Sequence, residues 1–246
     1  MPTLAKNPQW EILSPGNTKT GDAASFDLPA ADTCPSATEL CKRLCYSIKL
    51  CQTRPGVSAK YARNLKFVWD AKFVSYMVRC IPRGTFRIHV SGDFFHPDYV
   101  SRWIQIASRR PDVQFYCYTR SWREHDIWRQ IRKLAALPNV TVNISCDKET
   151  GKPKKTCEPY RWCYLSTDDT APKWLRKGDL IFRSNHNARA GNHQWKRAKA
   201  ISNGNNPDLV APLIHRIGQA PVCPFERGKK LVDFSCSQCK ICVEAP

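Results

Sequence analysis

The stretch FRIHVSGDFFHPDYVSRWIQIASRRPDVQFYCYTRS, residues 86–121, decides the fold. Phe86–Val90 is a short β-rich run that ends in the turn Ser91-Gly92-Asp93. From His96 to Arg109 the residues Tyr99, Trp103, Ile106 and Ala107 recur at helical spacing, behind a Pro97 suited to a first helical turn. Val113–Thr119 then reads as a second strand. Strand, helix and strand in this order predict a right-handed βαβ unit and parallel strands.

The alternation continues on both sides. Trp122–Ala136 reads as a helix, Val140–Cys146 as a strand and the polar stretch Asp147–Lys155 as a loop. Leu180–Ser184 reads as a strand and Asn192–Ile201 as a helix. Upstream, Ser58–Arg79 reads as one helix carrying Tyr61, Leu65, Val68, Trp69, Phe73 and Tyr76. Residues 1–33, with turn signals at Pro15-Gly16-Asn17 and Thr20-Gly21-Asp22, read as an irregular lead-in. The predicted class is α/β, with a mostly parallel sheet or partial (β/α) barrel and Cys-rich metal-binding loops at both ends. Residues 1–57 form the Cys-rich lead-in, 58–220 the core and 221–246 a Cys-rich tail, within one compact domain. Ligands of such sheets bind beyond the C-terminal strand ends. That rule groups Ser91-Gly92-Asp93, Thr119-Arg120-Ser121, Cys146-Asp147 and Ser184-Asn185-His186 on one rim.

A chain of 246 residues buries enough surface to fold without disulfides, yet it holds 13 Cys. Its start lacks a secretory pattern, and no apolar run reaches membrane-spanning length, so a cytoplasmic protein with no membrane partner is expected. In a reducing compartment, clustered cysteines point to metal binding. The net charge is +18, with +10 over residues 34–110 and +9 over 173–230. Two basic regions fit a nucleic-acid partner, or simply a basic protein surface. Aromatics interleave with basic residues at Tyr116–Arg123, Trp122–Arg132, Tyr160–Tyr164 and Trp195-Lys196-Arg197, a pattern that serves either base stacking or core packing. Walker, GxGxxG and HExxH motifs are absent from the sequence.

Cys236-Ser-Gln-Cys239-Lys-Ile-Cys242 is a C-x2-C-x2-C run, preceded by Cys223-Pro224. A tight triple plus a remote Cys beside Pro is the donor set of a [4Fe-4S] cluster. Four thiolates also hold structural Zn2+, although zinc knuckles come as two separated C-x2-C pairs. At the other end, Cys34, Cys41 and Cys45 are spaced C-x6-C-x3-C. Three thiolates hold a four-iron cluster with one iron open, whereas participation of Cys51 closes the site. Cys146, Cys157 and Cys163 are a further metal site or supply a remote ligand, while Cys80 and Cys117 read as packing residues. Asp93 is the candidate catalytic carboxylate; the alternative is a carboxylate that favours the dipole of the following helix.

The segments Ser14–Gly21, Thr33-Cys34-Pro35, Cys41, Cys45-Tyr46-Ser47, His89–Phe94 and Phe115–Ser121, with the C-terminal Cys run, resemble the phage and plasmid gene product eighty-eight family. More distantly, a three-Cys loop before a βα core, with Ser91-Gly92-Asp93 in place of a Gly-Gly-Glu-like turn, is similar to radical S-adenosylmethionine (SAM) enzymes. That resemblance implies that Ser91, Gly92 and Asp93 help to hold the amino group of SAM. The usual triple there is C-x3-C-x2-C, which this chain does not have. Two functions follow: an iron–sulfur protein with radical-SAM-like chemistry, and a non-catalytic zinc- or cluster-stapled nucleic-acid-binding protein of a mobile element.

Overall fold

The computed structural model of the chain describes residues 9–17, 20–168, 170–183, 216–217, 220–223 and 241–243. Within them, one sheet runs in chain order through β1 (Leu13–Ser14), β2 (Ala24–Phe26), β3 (Gly84–Ile88), β4 (Val113–Thr119), β5 (Val140–Asp147), β6 (Arg161–Ser166) and β7 (Leu180–Arg183). β1 pairs antiparallel with β2, and every later pairing is parallel. Parallel neighbours in strict chain order need a crossover between each pair. Right-handed crossovers in one direction place the helices on one face. Those helices are α4 (Pro55–Phe67) and α5 (Phe73–Cys80) before β3, α6 (Pro97–Ser108) before β4 and α7 (His125–Ala135) before β5. Two shorter ones, α2 (Glu39–Leu44) and α3 (Tyr46–Thr53), carry the N-terminal cysteine segment.

α6 shows how local sequence makes an element. His96 caps it by accepting the Asp98 N–H, and Pro97 fits the first turn, where its missing N–H costs nothing. Tyr99, Val100, Trp103, Ile106 and Ala107 then fall on one buried stripe. Trp103 is fully buried and meets Phe26, Phe73, Phe86 and Phe115 edge-on or tilted, with ring centroids 6.0–6.4 Å apart. Each such aromatic adds roughly 0.5–1.5 kcal/mol beyond its area term, which fixes α6 against β2, β3 and β4.

The strands alternate between this core and a second, polar face. On β5, Val140, Val142, Ile144 and Cys146 join the core, while Thr141 and Asn143 point the other way. The sheet curls toward that polar face. Tyr118 on β4 and Phe182 on β7 lie three strands apart, about 14 Å along a flat sheet, yet their rings approach to 5.6 Å.

The expected strands at 86–90, 113–119, 140–146 and 180–184 and helices at 96–109 and 122–136 are present with small shifts at their ends. Three sequence expectations are corrected. Residues 1–33 contain β1 and β2 rather than irregular chain, because Ala24 and Phe26 are fully buried beside β3. Ser58–Arg79 is two helices, broken where Asp70 Oδ1 accepts the Lys72 N–H and turns the chain. Arg161–Ser166 is a strand, although its cysteine suggested only a metal ligand. The segments at Ser184-Asn185-His186 and Asn192–Ile201 lie outside the described residues. No helix among the described residues is long and apolar enough to cross a membrane.

Candidate metal and cofactor site

Four strand ends and one loop build this site. The chain leaves β2 through Asp27, whose Oδ1 accepts the N–H groups of Val90 at 2.7 Å and Ser91 at 3.2 Å. The next strand end is thereby locked to it. Ser91 Oγ donates to Leu28 O at 2.7 Å, and the Leu28 N–H returns to Ser91 O. Gly92 has φ +84°, and a Cβ there would lie 2.6 Å from Thr33 Oγ1 and 2.7 Å from Leu28 Cβ. Only glycine satisfies both the angle and the space. The Asp93 N–H then donates to Thr33 O, one residue before Cys34. Ser91-Gly92-Asp93 therefore fastens the start of the cysteine loop to the rim.

Asp93 is buried and braces two strand ends. Its Oδ1 accepts the Phe94 N–H at 2.7 Å and its Oδ2 the Arg120 N–H at 2.8 Å. Burial pushes its carboxyl up to about 6, while hydrogen bonds from Thr119 and from the Arg120 and Phe94 amides pull the other way. Lone-pair positions remain on the carboxylate, but its first work is structural.

The loop is also held from β5. Thr38 caps α2 by accepting the Cys41 N–H at 3.0 Å, and its hydroxyl donates to Asp147 Oδ2 at 2.6 Å. Arg120 Nη1 lies 2.8 Å from the same Asp147 oxygen, and both side chains are buried. Glu149 accepts the Leu40 N–H, and Glu124 accepts from Ser36 Oγ. From α3, Ser47 Oγ donates to Ser91 Oγ and Tyr46 OH to Val90 O.

These anchors bring Cys34, Cys41 and Cys45 within electrostatic range of one another. Burial pushes the Cys34 thiol up to about 12, and the nearby Asp93 charge adds to the rise. Burial raises Cys41 as well, but Arg120 opposes it with its charge and a hydrogen bond to the thiol. Cys51 is further out and feels Cys45. Buried thiols beside a carboxylate ionise only with added positive charge. An iron–sulfur core supplies that charge, so this donor set fits it. Among the described residues, no three His, Cys, Asp or Glu side chains are arranged to hold a single metal ion.

A family model described as Gene product 88 matches residues 5–244. The chain belongs to the gene product 88 family. It is 37% identical over 125 residues to the Gene 88 protein of Mycobacterium phage L5, covering 44% of this chain and 52% of that protein. It is 35% identical over 154 residues to the Gene 88 protein of Mycobacterium phage D29, covering 56% and 62%. The aligned part thus spans between half and two thirds of each phage relative. No solved structure matches the chain.

In this gene product 88 member, the C-terminal cysteines are divided. Cys236 and Cys239 lie outside the described residues, as does Trp195-Lys196-Arg197. Cys223 is buried, and its N–H donates to Ile181 O beside β7. Cys242 lies on the polar face of the sheet. Arg161 donates to Ile241 O, Asn143 to Cys242 O at 2.9 Å, and Thr141 to Val243 O. Cys163 and Tyr118 are its neighbours there, and Tyr118 shares a hydrogen bond with Cys242. The suggested grouping of Cys146, Cys157 and Cys163 is split by the sheet. Cys146 and Cys157 pack into the helix-side core, and strand alternation turns Cys163 to the opposite face. Cys117 is a core residue, as expected. Tyr116, Trp122, Trp128 and Trp162 are buried, so the aromatics of three interleaved segments pack rather than offer faces for stacking.

His89 resolves to the core. It has φ +69°, its Nε2 lies 2.6 Å from Tyr99 OH, and burial takes its pKa down to about 3. The sequence reading did not single out Asp27 or Thr38. The signal for Asp27 was a carboxylate following Ala24-Ser25-Phe26 in a strand-like run; Thr38 preceded α2 as an ordinary capping residue.

Proposed function

We propose that the chain is an iron–sulfur protein with radical-SAM-like chemistry, its reactive centre held by Cys34, Cys41 and Cys45. One observation carries the proposal. The three-cysteine loop follows β2, the first strand of the parallel set, and is tied over the C-terminal ends of β2, β3, β4 and β5. That is the ligand-binding end of a parallel sheet wound in one direction. When bound, a four-iron cluster with an open iron supplies an electron and a Lewis-acid position beside the rim. Cys41 and Cys45 flank α2, and Cys34 enters from the turn fixed by Gly92. Asp93 and Ser91 contribute rigidity, with Asp93 also offering acceptor positions toward a cationic group of a cofactor such as SAM. The C-terminal set, Cys223, Cys236, Cys239 and Cys242, serves as a second, structural or electron-conducting centre in this proposal.

The test is iron and acid-labile sulfide analysis of protein purified without oxygen, followed by EPR of the reduced protein with and without SAM. Brown protein whose signal changes on adding SAM supports the proposal. Brown protein with no response removes SAM and leaves an iron–sulfur protein. Colourless protein carrying zinc overturns the cluster and favours the metal-stapled, nucleic-acid-binding alternative, which salt-dependent DNA and RNA binding then tests.

A further inference from the structure

The cluster proposal leaves one buried charge without a role. Arg120 follows β4 and is almost fully buried, yet it is not matched to Asp147 alone. Its guanidinium reaches Asp147 Oδ2 on one side and the Cys41 thiol on the other. Thr38 closes the arrangement, since its single hydroxyl oxygen accepts from the Cys41 amide and donates to that same Asp147 oxygen. Cys41 is therefore gripped at its backbone through Thr38 and at its sulfur through Arg120, and both grips end on Asp147. A guanidinium fork suits this double reach, whereas a lysine ammonium acts as a point charge.

We infer that Arg120 is a positioning residue that sets how readily the centre at Cys34, Cys41 and Cys45 accepts an electron; this rests on the cluster reading above. Reduction adds one negative charge to the cluster, taken from an external one-electron donor, and no bond is made or broken. A cation hydrogen-bonded to a ligand sulfur stabilises that extra charge and raises the reduction potential. Asp147 moderates the effect by neutralising part of the guanidinium. The two residues thus act in opposite directions on one property, which a merely structural pair does not do.

The experiment is an EPR-monitored titration with dithionite of protein reconstituted anaerobically with iron and sulfide. The relevant signal is the one lost in Cys41→Ala. Arg120→Gln is expected to disfavour reduction by about tenfold or more, each tenfold being 59 mV for a one-electron couple. Asp147→Asn is expected to favour it. Iron retained with both potentials within twofold of the parent overturns the inference, and so does a shift of both in one direction. Should Arg120→Gln fail to take up iron, Arg120→Lys carries the test: a lower potential supports the role and an unchanged one overturns it. Absence of iron and sulfide from the reconstituted parent protein defeats the cluster reading itself, a result distinct from unchanged potentials in iron-loaded variants.

Discussion

Asp93 Oδ2 accepts the backbone N–H of Arg120 at 2.8 Å, which joins the turn after β3 to the end of β4. The same carboxylate accepts the Phe94 N–H through Oδ1. Asp93→Ala leaves both buried donors unsatisfied, at roughly 1–3 kcal/mol each. Asp93→Asn keeps one acceptor oxygen and costs less. Urea unfolding should rank the variants parent, Asn, Ala in falling midpoint; equal midpoints would remove the bracing role.

Gly92→Ala tests the close approach of the rim to the cysteine loop. The new methyl meets Thr33 Oγ1 at 2.6 Å and Leu28 Cβ at 2.7 Å, on a backbone of φ +84°. A loss of at least about 2 kcal/mol in stability is expected from strain and overlap together. Iron content of anaerobically prepared protein should fall with it, because Thr33 precedes Cys34. Gly151→Ala, whose Cβ meets nothing within 4 Å at φ +65°, is the control for backbone strain alone.

His89 and Asp93 pull the pH dependence of stability in opposite directions. Folding holds His89 to about 3, below its ordinary 6.5, so the unfolded chain carries a proton that the folded chain lacks between those values. That contribution to stability is lost as pH falls. Asp93 is raised from 3.8 to about 6, so there the folded chain carries the extra proton, and stability falls as pH rises. Each slope is about 1.4 kcal/mol per pH unit, and between about pH 4 and 6 they cancel. Relative to the parent, His89→Asn should lose stability with rising pH across that window, and Asp93→Asn should gain it. Asparagine is chosen at 89 because it tolerates the positive φ. Thermal midpoints in a pH series check both signs.

Asn143 connects the C-terminal residues to the sheet. Its Nδ2 donates to Cys117 O and Cys242 O at 3.1 and 2.9 Å. Asn143→Ala should cost roughly 1–3 kcal/mol and raise amide exchange at residues 241–243. Unchanged exchange there would show that Arg161 and Thr141 suffice.

Much of the sheet was legible because a parallel strand has to be apolar on its helix face and has to be followed by a helix. Phe86–Ile88, Phe115, Cys117 and Val140–Ile144 carry that signature in the chain itself. β2 and β6 were missed for local reasons. Ala24–Phe26 is too short for alternation to register, and Arg161–Ser166 follows Cys157 with a further cysteine inside it. The helix at Ser58–Arg79 was overextended because apolar periodicity survives the turn at Asp70.

The site was half legible. Spacing marked Cys34, Cys41, Cys45 and the Ser91-Gly92-Asp93 turn, since tight cysteine spacing and a glycine turn are local features. Which of them meet depended on curvature and crossover. Only the folded sheet places Cys41 against Arg120 and Asp147, puts Cys163 and Cys146 on opposite faces, and sets Cys242 on the polar side. The sequence by itself determined the parallel α/β class and the cysteine segments, because periodicity and spacing act over a few residues. The tertiary structure alone decided that Asp93 braces the rim and that Arg120 serves Cys41. Those roles come from strand ends far apart in the chain that converge only when the sheet closes around them.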